Sequence, residues 1–281
     1  MTRAIITDLD GTILPRKGEI STSTRKAFIL AGKQGCQRII ATGRNLYSSL
    51  KVLSEDFPID YLVFSSGAGI MRWHDRQILS ADHLTPSHTK HIARYLWNHN
   101  INFTIQREIP ENHYFFYTDF YPLHEDYKQR LATYAPFGRL IYSPEEITGR
   151  ATQFVVILDA LQLRMLETMR TALRDFSVVR STSPQDNRAI WLEIFAKGIN
   201  KGNACRKLLH TLGIDSMECA GVGNDYNDLD FLEMCGKAFL VANAPANLQH
   251  RYKLVSRDRE EGFTQFIHQV LFKENGKGPT D

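Results

Sequence analysis

Four short stretches bring together side chains whose types and spacing could do chemistry. In Asp8-Leu9-Asp10-Gly11-Thr12, two carboxylates lie two residues apart at the end of a β-branched run. Strand side chains repeat every two residues, so both acids start on one face, where they repel each other and invite a cation. Gly11 lets the backbone turn sharply and approach a ligand. Thr42-Gly43-Arg44 offers a hydroxyl and an unhindered backbone N–H, which suit a phosphate oxygen, although a helix N-cap would read the same way. Gly198-Ile199-Asn200-Lys201-Gly202 sets a lysine at a predicted helix start, a position that grips anions or simply solvates the lysine. Gly223-Asn224-Asp225-Tyr226-Asn227-Asp228 crowds oxygen donors into one turn. Oxygen donors suit Mg²⁺, and a polar Asx turn is the plainer reading.

Each stretch follows, or directly precedes, a recognisable element. Arg3–Thr7, Arg38–Thr42 and Tyr61–Ser65 read as short buried strands. Between the first two, Ser23–Lys33 places Ala27, Leu30 and Ala31 at helical spacing, with Gly35 as a stop. A helical segment through Leu53 leads to the third strand. Alternation of this kind predicts an α/β fold with a doubly wound parallel sheet, and ligands bind at the C-terminal ends of such strands. From about Asp82 to Asp186 the chain turns rich in aromatics, His and Gln. Helices over Pro86–Asn98, Pro122–Tyr134 and Leu161–Arg174 alternate there with strands near Ile101–Ile105, Tyr114–Thr118, Thr152–Leu158 and Ser177–Ser181. That pattern predicts an inserted α+β domain over 82–186, with residues 1–81 and 187–281 forming the core. Ile190–Phe195 is extended and links back to the core. Helix Lys201–Leu212, strand Glu218–Gly221, helix Asn227–Met234 and strand Ala238–Val241 then resume the first pattern. The tail from Lys273 is expected to fray.

Composition narrows the classes. Of 281 residues, 43% are hydrophobic and 23% charged, which excludes a disordered or collagen-like chain. Lys and Arg number 34 and Asp and Glu 31, a net charge of +3 with no run of five like charges, so no nucleic-acid footprint is indicated. Cys36, Cys205, Cys219 and Cys235 form no C-x-x-C pair, which removes zinc-ribbon and thioredoxin-like readings. No apolar stretch reaches the ~20 residues needed to cross a bilayer, and an acid at position 8 interrupts any signal-peptide core. A cytoplasmic protein without a membrane partner is expected. His83, His88 and His91 on a polar helix read as surface histidines, and Tyr114–Tyr117 as an alternating strand with one buried face.

Taken in order, the four stretches resemble the motifs of the haloacid dehalogenase-like hydrolase superfamily, in the Cof-type phosphatase branch with a large type IIB cap. Asp-Leu-Asp-Gly-Thr is similar to the first motif, Thr42-Gly43-Arg44 to the second, Lys201 to the third and Gly223–Asp228 to the fourth. Ser66-Gly67-Ala68, Leu192-Glu193-Ile194, Asn243-Ala244 and the late Arg257–Gly262 stretch match as well, while the insert matches only in size and pattern. The resemblance implies that Asp8 is a nucleophile forming an aspartyl-phosphate. Asp10 would be the acid and base, and its proton affinity would have to be raised by burial or by its like-charged neighbour. It further implies that Thr42, Gly43, Lys201 and Asn227 grip the phosphoryl group. Mg²⁺ would be held by Asp8, the Asp10 carbonyl, Asn224 and Asp228, with Asp225 as the alternative to Asn224. The family more often carries Asp at position 224, and the neutral amide supplies less charge. The insert would be the cap that chooses the leaving group, with Glu193 and Arg188 at its return hinge as substrate contacts. The expected activity is Mg²⁺-dependent hydrolysis of a small phosphorylated metabolite, a sugar phosphate by analogy. Transfer to a sugar acceptor, as in a mutase, and binding without turnover are the alternatives.

Overall fold

A computed structural model describes residues 1–159, 161–183 and 189–272. Arg188, the 186/187 boundary and the tail from Lys273 lie outside the described residues. The strands in chain order are β1 (Ala4–Thr7), β2 (Gln37–Ala41), β3 (Tyr61–Phe64), β4 (Gly69–Arg72), β5 (Ile78–Ala81), β6 (Phe103–Gln106), β7 (Phe115–Tyr117), β8 (Gly138–Leu140), β9 (Gln153–Asp159), β10 (Ser177–Thr182), β11 (Ala189–Phe195), β12 (Cys219–Gly223), β13 (Lys237–Val241) and β14 (Lys253–Val255). They form two sheets, in the orders β14-β13-β12-β1-β2-β3-β4-β5 and β10-β11-β9-β6-β7-β8. The chain divides accordingly into two compact units, Met1–Arg44 with Ser49–Ser80 and Asn200–Asp281, and Asn45–Ser48 with Ala81–Ile199.

The first unit is the expected parallel sheet. β1 lies between β12 and β2, parallel to both, and β13, β14 and β3 continue in parallel outwards. The order reverses at β1, which makes its C-terminal end a switch point where a crevice opens. Ala4, Ile5 and Ile6 are fully buried, because a central parallel strand is covered on both faces. Ala4 and Ile6 share a cluster with Ala204, Leu208 and Leu209 of helix Lys201–Thr211. Helices Thr22–Lys33 and Gly262–Leu271 pack through Phe28 and Phe263, whose rings stack at 4.4 Å. The sheet is not wholly parallel. β4 turns back antiparallel to β3, Phe64 opposite Gly69.

The second unit is the α+β insert, and its boundary differs from the expected one. β11 is not a link to the core. It pairs antiparallel with β9 and β10 over its length, so the return falls at Asn200 rather than at 187. A strand buried between two neighbours gains hydrogen bonds on both edges, and an isolated extended run cannot show from its own residues which sheet supplies them. The structure adds β4, β5, β8, β14 and helix Gly262–Leu271 to the elements expected from the sequence. The four strands have only three or four residues each, too few for a period to emerge. His88 and His91 are exposed as expected, whereas the half-buried His83 accepts the Ile109 N–H at 3.0 Å through Nε2. Tyr114 is 37% exposed and Phe115 buried, but Phe116 and Tyr117 are both half-buried, so the expected alternation holds only at the start of the stretch.

Candidate active site

Register alone brings three of the four stretches level. Thr7 stands opposite Val222 on one side and Ile40 on the other, so Asp8, Gly223 and the Ala41–Thr42 step leave the sheet at the same end. Helix Lys201–Thr211 begins beside them. Asn200 caps it, accepting the Asn203 N–H at 2.7 Å, and Lys201 is its first residue. Two glycines permit this approach. A Cβ on Gly67 would lie 2.3 Å from the Asn200 carbonyl, and one on Gly202 would lie 2.4 Å from the Asp230 carbonyl. Gly67 also has φ +101°, in the region that favours glycine. Gly67→Ala is therefore expected to cost at least about 2 kcal/mol, read as a lower urea midpoint at unchanged slope. A wild-type midpoint would show that the helix start does not depend on this contact.

Lys201 is the centre of the arrangement. Its Nζ donates to Asp8 Oδ1 at 2.6 Å and to Asp228 Oδ1 at 2.7 Å. Lys201, Asp8 and Asp228 are 1%, 5% and 0% exposed. The other Asp228 oxygen accepts the backbone N–H groups of Asn224 and Asp225 at 2.8 and 2.9 Å, so this carboxylate holds the 223–228 turn closed. Asp8 Oδ2 has only the Thr12 hydroxyl, at 3.4 Å. Burial pushes the Asp8 carboxyl up to about 8, with Asp228 and Asp10 adding to the rise and Lys201 opposing it. Burial alone would lower Lys201, but Asp228 and Asp8 overcome it and hold the amine charged. One cation thus serves two buried carboxylates, and negative charge is in excess.

Of the two alternatives expected for Asp10, burial is not found: its side chain is 46% exposed, and both oxygens accept from Arg44, through Nε and a terminal nitrogen, each at 2.7 Å. A bidentate fork of this kind is the strong form of an ion pair. Arg44, the third residue of the Thr42-Gly43-Arg44 stretch, is thereby the counter-charge to Asp10 from the neighbouring strand end. Asn243, part of the matched Asn243-Ala244 pair, bridges two loops. Its amide donates to the Gly11 carbonyl at 2.7 Å and accepts the Asp258 N–H at 3.0 Å, tying the first loop to the late acidic turn.

Thr42 is fully buried. Its carbonyl accepts the Ser66 N–H at 3.0 Å and its hydroxyl the Arg44 N–H at 3.1 Å, which leaves the hydroxyl proton to donate. Ser65 and Ser66 sit at φ 48° and 52°, left-handed positions uncommon for serine. Asn224 and Asp225 part company. The Asn224 amide lies 2.5 Å from where a Cβ on Gly11 would stand, against the first loop, whereas Asp225 Oδ1 caps its own turn by accepting the Tyr226 N–H at 2.8 Å. Asn227 is half-buried in the same turn as Asp228. Glu193 lies in the second unit, on β11, 8% exposed and accepting from Gln153 at 2.8 Å.

Among the described residues, no group of three or more His, Cys, Asp or Glu side chains is placed to hold a metal. The donor set implied for Mg²⁺ is of another kind: carboxylate oxygen, a backbone carbonyl and an amide oxygen. Hard oxygen donors beside excess negative charge fit that ion, and they fit neither zinc nor copper.

Residues 5–267 match the haloacid dehalogenase-like hydrolase family. YxeH of Bacillus subtilis (strain 168) is 25% identical, covering 96% of this chain and 99% of its own. The HMP-PP phosphatase of Yersinia pseudotuberculosis is 24% identical, covering 96% of each. In fold, the chain is similar to the phosphatase BT1666 of Bacteroides thetaiotaomicron, with a TM-score of 0.79, 16% identity and coverage of 96% and 95%. It is similar also to the subclass IIB sugar phosphatase BT4131, with a TM-score of 0.74, 18% identity and coverage of 94% and 97%. With its motifs gathered at one end of a parallel sheet and the match running almost end to end, the chain belongs to the haloacid dehalogenase-like hydrolases.

Proposed function

We propose that the protein hydrolyses the phosphate monoester of a small metabolite through a phosphorylated Asp8, with Mg²⁺ bound. The observation that carries this reading is the Lys201 amine shared between Asp8 and Asp228 in a buried site beside the Asp10–Arg44 pair. Asp8 Oδ2 attacks phosphorus and the bond to the leaving oxygen breaks. Asp10 gives that oxygen a proton, then takes one from the water that cleaves the acyl phosphate. Both Asp10 oxygens accept from Arg44, so the carboxyl must leave that fork before it can move a proton. Thr42, the Gly43 N–H, Lys201 and Asn227 would bind the phosphoryl oxygens, and fixed donors of this kind stabilise charge as it develops. Asp8, the Asp10 carbonyl and Asn224 would hold Mg²⁺, with Asp228 contributing from the closed turn. When bound, the ion offsets the repulsion between the carboxylates and the phosphoryl group and favours the charged form of Asp8.

Two relatives are named as phosphatases of HMP-PP and of 5-amino-6-(5-phospho-D-ribitylamino)uracil, and one structural neighbour as a sugar phosphatase. They support a small phosphorylated metabolite as substrate. The test is turnover of p-nitrophenyl phosphate. Hydrolysis is expected with Mg²⁺, loss below about 1% with EDTA, and recovery on re-adding Mg²⁺. Undiminished turnover in EDTA would remove the metal from the reading. Phosphate found on an added sugar instead of in solution would turn hydrolysis into transfer.

A further inference from the structure

The acids that the four stretches bring to one end of the first unit's sheet are unequally available to a cation. Asp228 is fully buried, and its two oxygens already take three donors: Lys201 Nζ on one, the backbone N–H groups of Asn224 and Asp225 on the other. A carboxylate has about four acceptor positions, so this one braces the turn and has little left for a metal. Asp225 folds back on the same turn, where its side chain accepts the N–H groups of Tyr226 and Asp228. Asp10 has both carboxylate oxygens in the Arg44 fork. What it can offer without breaking that pair is its backbone carbonyl, which is neutral. Asp8 differs. One of its oxygens accepts from Lys201 at 2.6 Å, and the other has the Thr12 hydroxyl at the long distance of 3.4 Å.

Asn224 is the side chain of that turn set against the first loop. Its amide nitrogen lies 2.5 Å, and its amide carbon 3.4 Å, from where a Cβ on Gly11 would stand. It has the shape of an aspartate and carries no charge. All of these residues belong to the first unit. Affinity for a hard cation follows the number of charged oxygens around it, and Mg²⁺ gives up its water reluctantly. One carboxylate oxygen, a carbonyl and an amide therefore make a poor set for Mg²⁺ alone. A phosphoryl group supplies the charged oxygen that the turn lacks, and phosphate oxygens commonly complete the shell of this ion. In return, the ion offsets the repulsion between that group and the surrounding carboxylates.

We propose that Asn224 makes metal binding depend on the phosphoryl group: the free protein holds Mg²⁺ weakly, and holds it tightly only together with phosphate, because Asp8 is the one charged oxygen ligand that the described residues provide. Each ligand then tightens the other by the same factor, as linkage requires. Asp228 serves the site by closing the turn rather than by ligating the ion. The assignment rests on the phosphatase reading and adds to it how the site is loaded.

The test measures metal binding on the full chain through the EPR signal of free Mn²⁺, which shares the oxygen preference of Mg²⁺, with Mg²⁺ as competitor. In wild type, saturating inorganic phosphate is expected to tighten metal binding by about tenfold or more, and Mg²⁺ to tighten phosphate binding, read by calorimetry, by the same factor. Asn224→Asp keeps the shape and adds a charged oxygen. It should tighten binding without phosphate by about tenfold and reduce the coupling to less than about threefold. Gln34→Glu adds the same charge at an exposed site just before β2, at the opposite end of the sheet, and should change neither quantity. Asp225→Asn keeps the acceptor of the turn and should likewise change neither. Equal metal affinity with and without phosphate in wild type would overturn the proposal. So would wild-type behaviour in Asn224→Asp, the Asn224→Asp effect in Gln34→Glu, or a loss of phosphate-free binding in Asp225→Asn, which would make Asp225 a second charged ligand. If Mg²⁺-dependent turnover of p-nitrophenyl phosphate persists beside such a result, the phosphatase reading stands and the coupling alone falls. Absence of that turnover in wild type would remove the reading itself, and the proposal with it.

Discussion

Asp8→Asn is expected to reduce turnover of an aryl phosphate by about 10⁴-fold or more, at unchanged secondary structure. An amide oxygen is a poor nucleophile and its phosphorylated product is unstable, so no other route is left for the first displacement. The same change should not weaken the fold. Asp8 is 5% exposed and pushed up to about 8 by burial and by Asp228, so its charge opposes folding in the metal-free protein. A carboxyl raised in the folded state binds more protons there than in the unfolded chain, whose own Asp titrates near ~3.9. Its contribution to stability is therefore full below about pH 4 and lost as pH rises towards about 8. Metal-free Asp8→Asn should lack that part of the decline, and thermal melts of both proteins across this range would read it. Retained turnover in Asp8→Asn would end the assignment of the nucleophile. An identical pH slope in both proteins would end the account of its charge.

Lys201→Met is expected to remove both function and stability. It leaves Asp8 and Asp228 facing each other in a buried site with no cation between them. Breaking a buried ion pair from one side costs about 3–5 kcal/mol, against roughly 1 kcal/mol or less for an exposed pair such as Arg3–Glu218. Turnover should fall by about 10³-fold, since the amine also meets the charge that develops on the phosphoryl oxygens. Urea denaturation reads the first effect and aryl-phosphate hydrolysis the second. The double variant Lys201→Met with Asp228→Asn separates them. It should recover part of the stability, because one of the two uncompensated charges is gone, and none of the activity. Recovery of activity would mean that Lys201 acts only as a counter-ion.

The legibility of this protein was uneven for physical reasons. Asp8, Asp10, Thr42, Lys201 and Asp228 stood out because each sits at the end or start of an element whose period is plain, and strand ends in a parallel sheet are where ligands gather. Arg44 lies in the second stretch, but its role depends on pairing with Asp10 across two strands. β11 misled because an extended run carries no mark of which sheet it joins, and its partners β9 and β10 come from the insert.

By itself, then, the sequence determined the alternation of strands and helices, the presence of an insert and the residue types able to handle a phosphate, because these follow from period, turn chemistry and side-chain charge. Only the tertiary structure decided which charges meet. It gave Lys201 to two carboxylates at once, gave Asp10 to Arg44, and turned Asn224 towards the first loop while Asp225 capped its own turn. Distances between groups far apart in the chain are fixed by strand register and helix packing, and no local pattern records them.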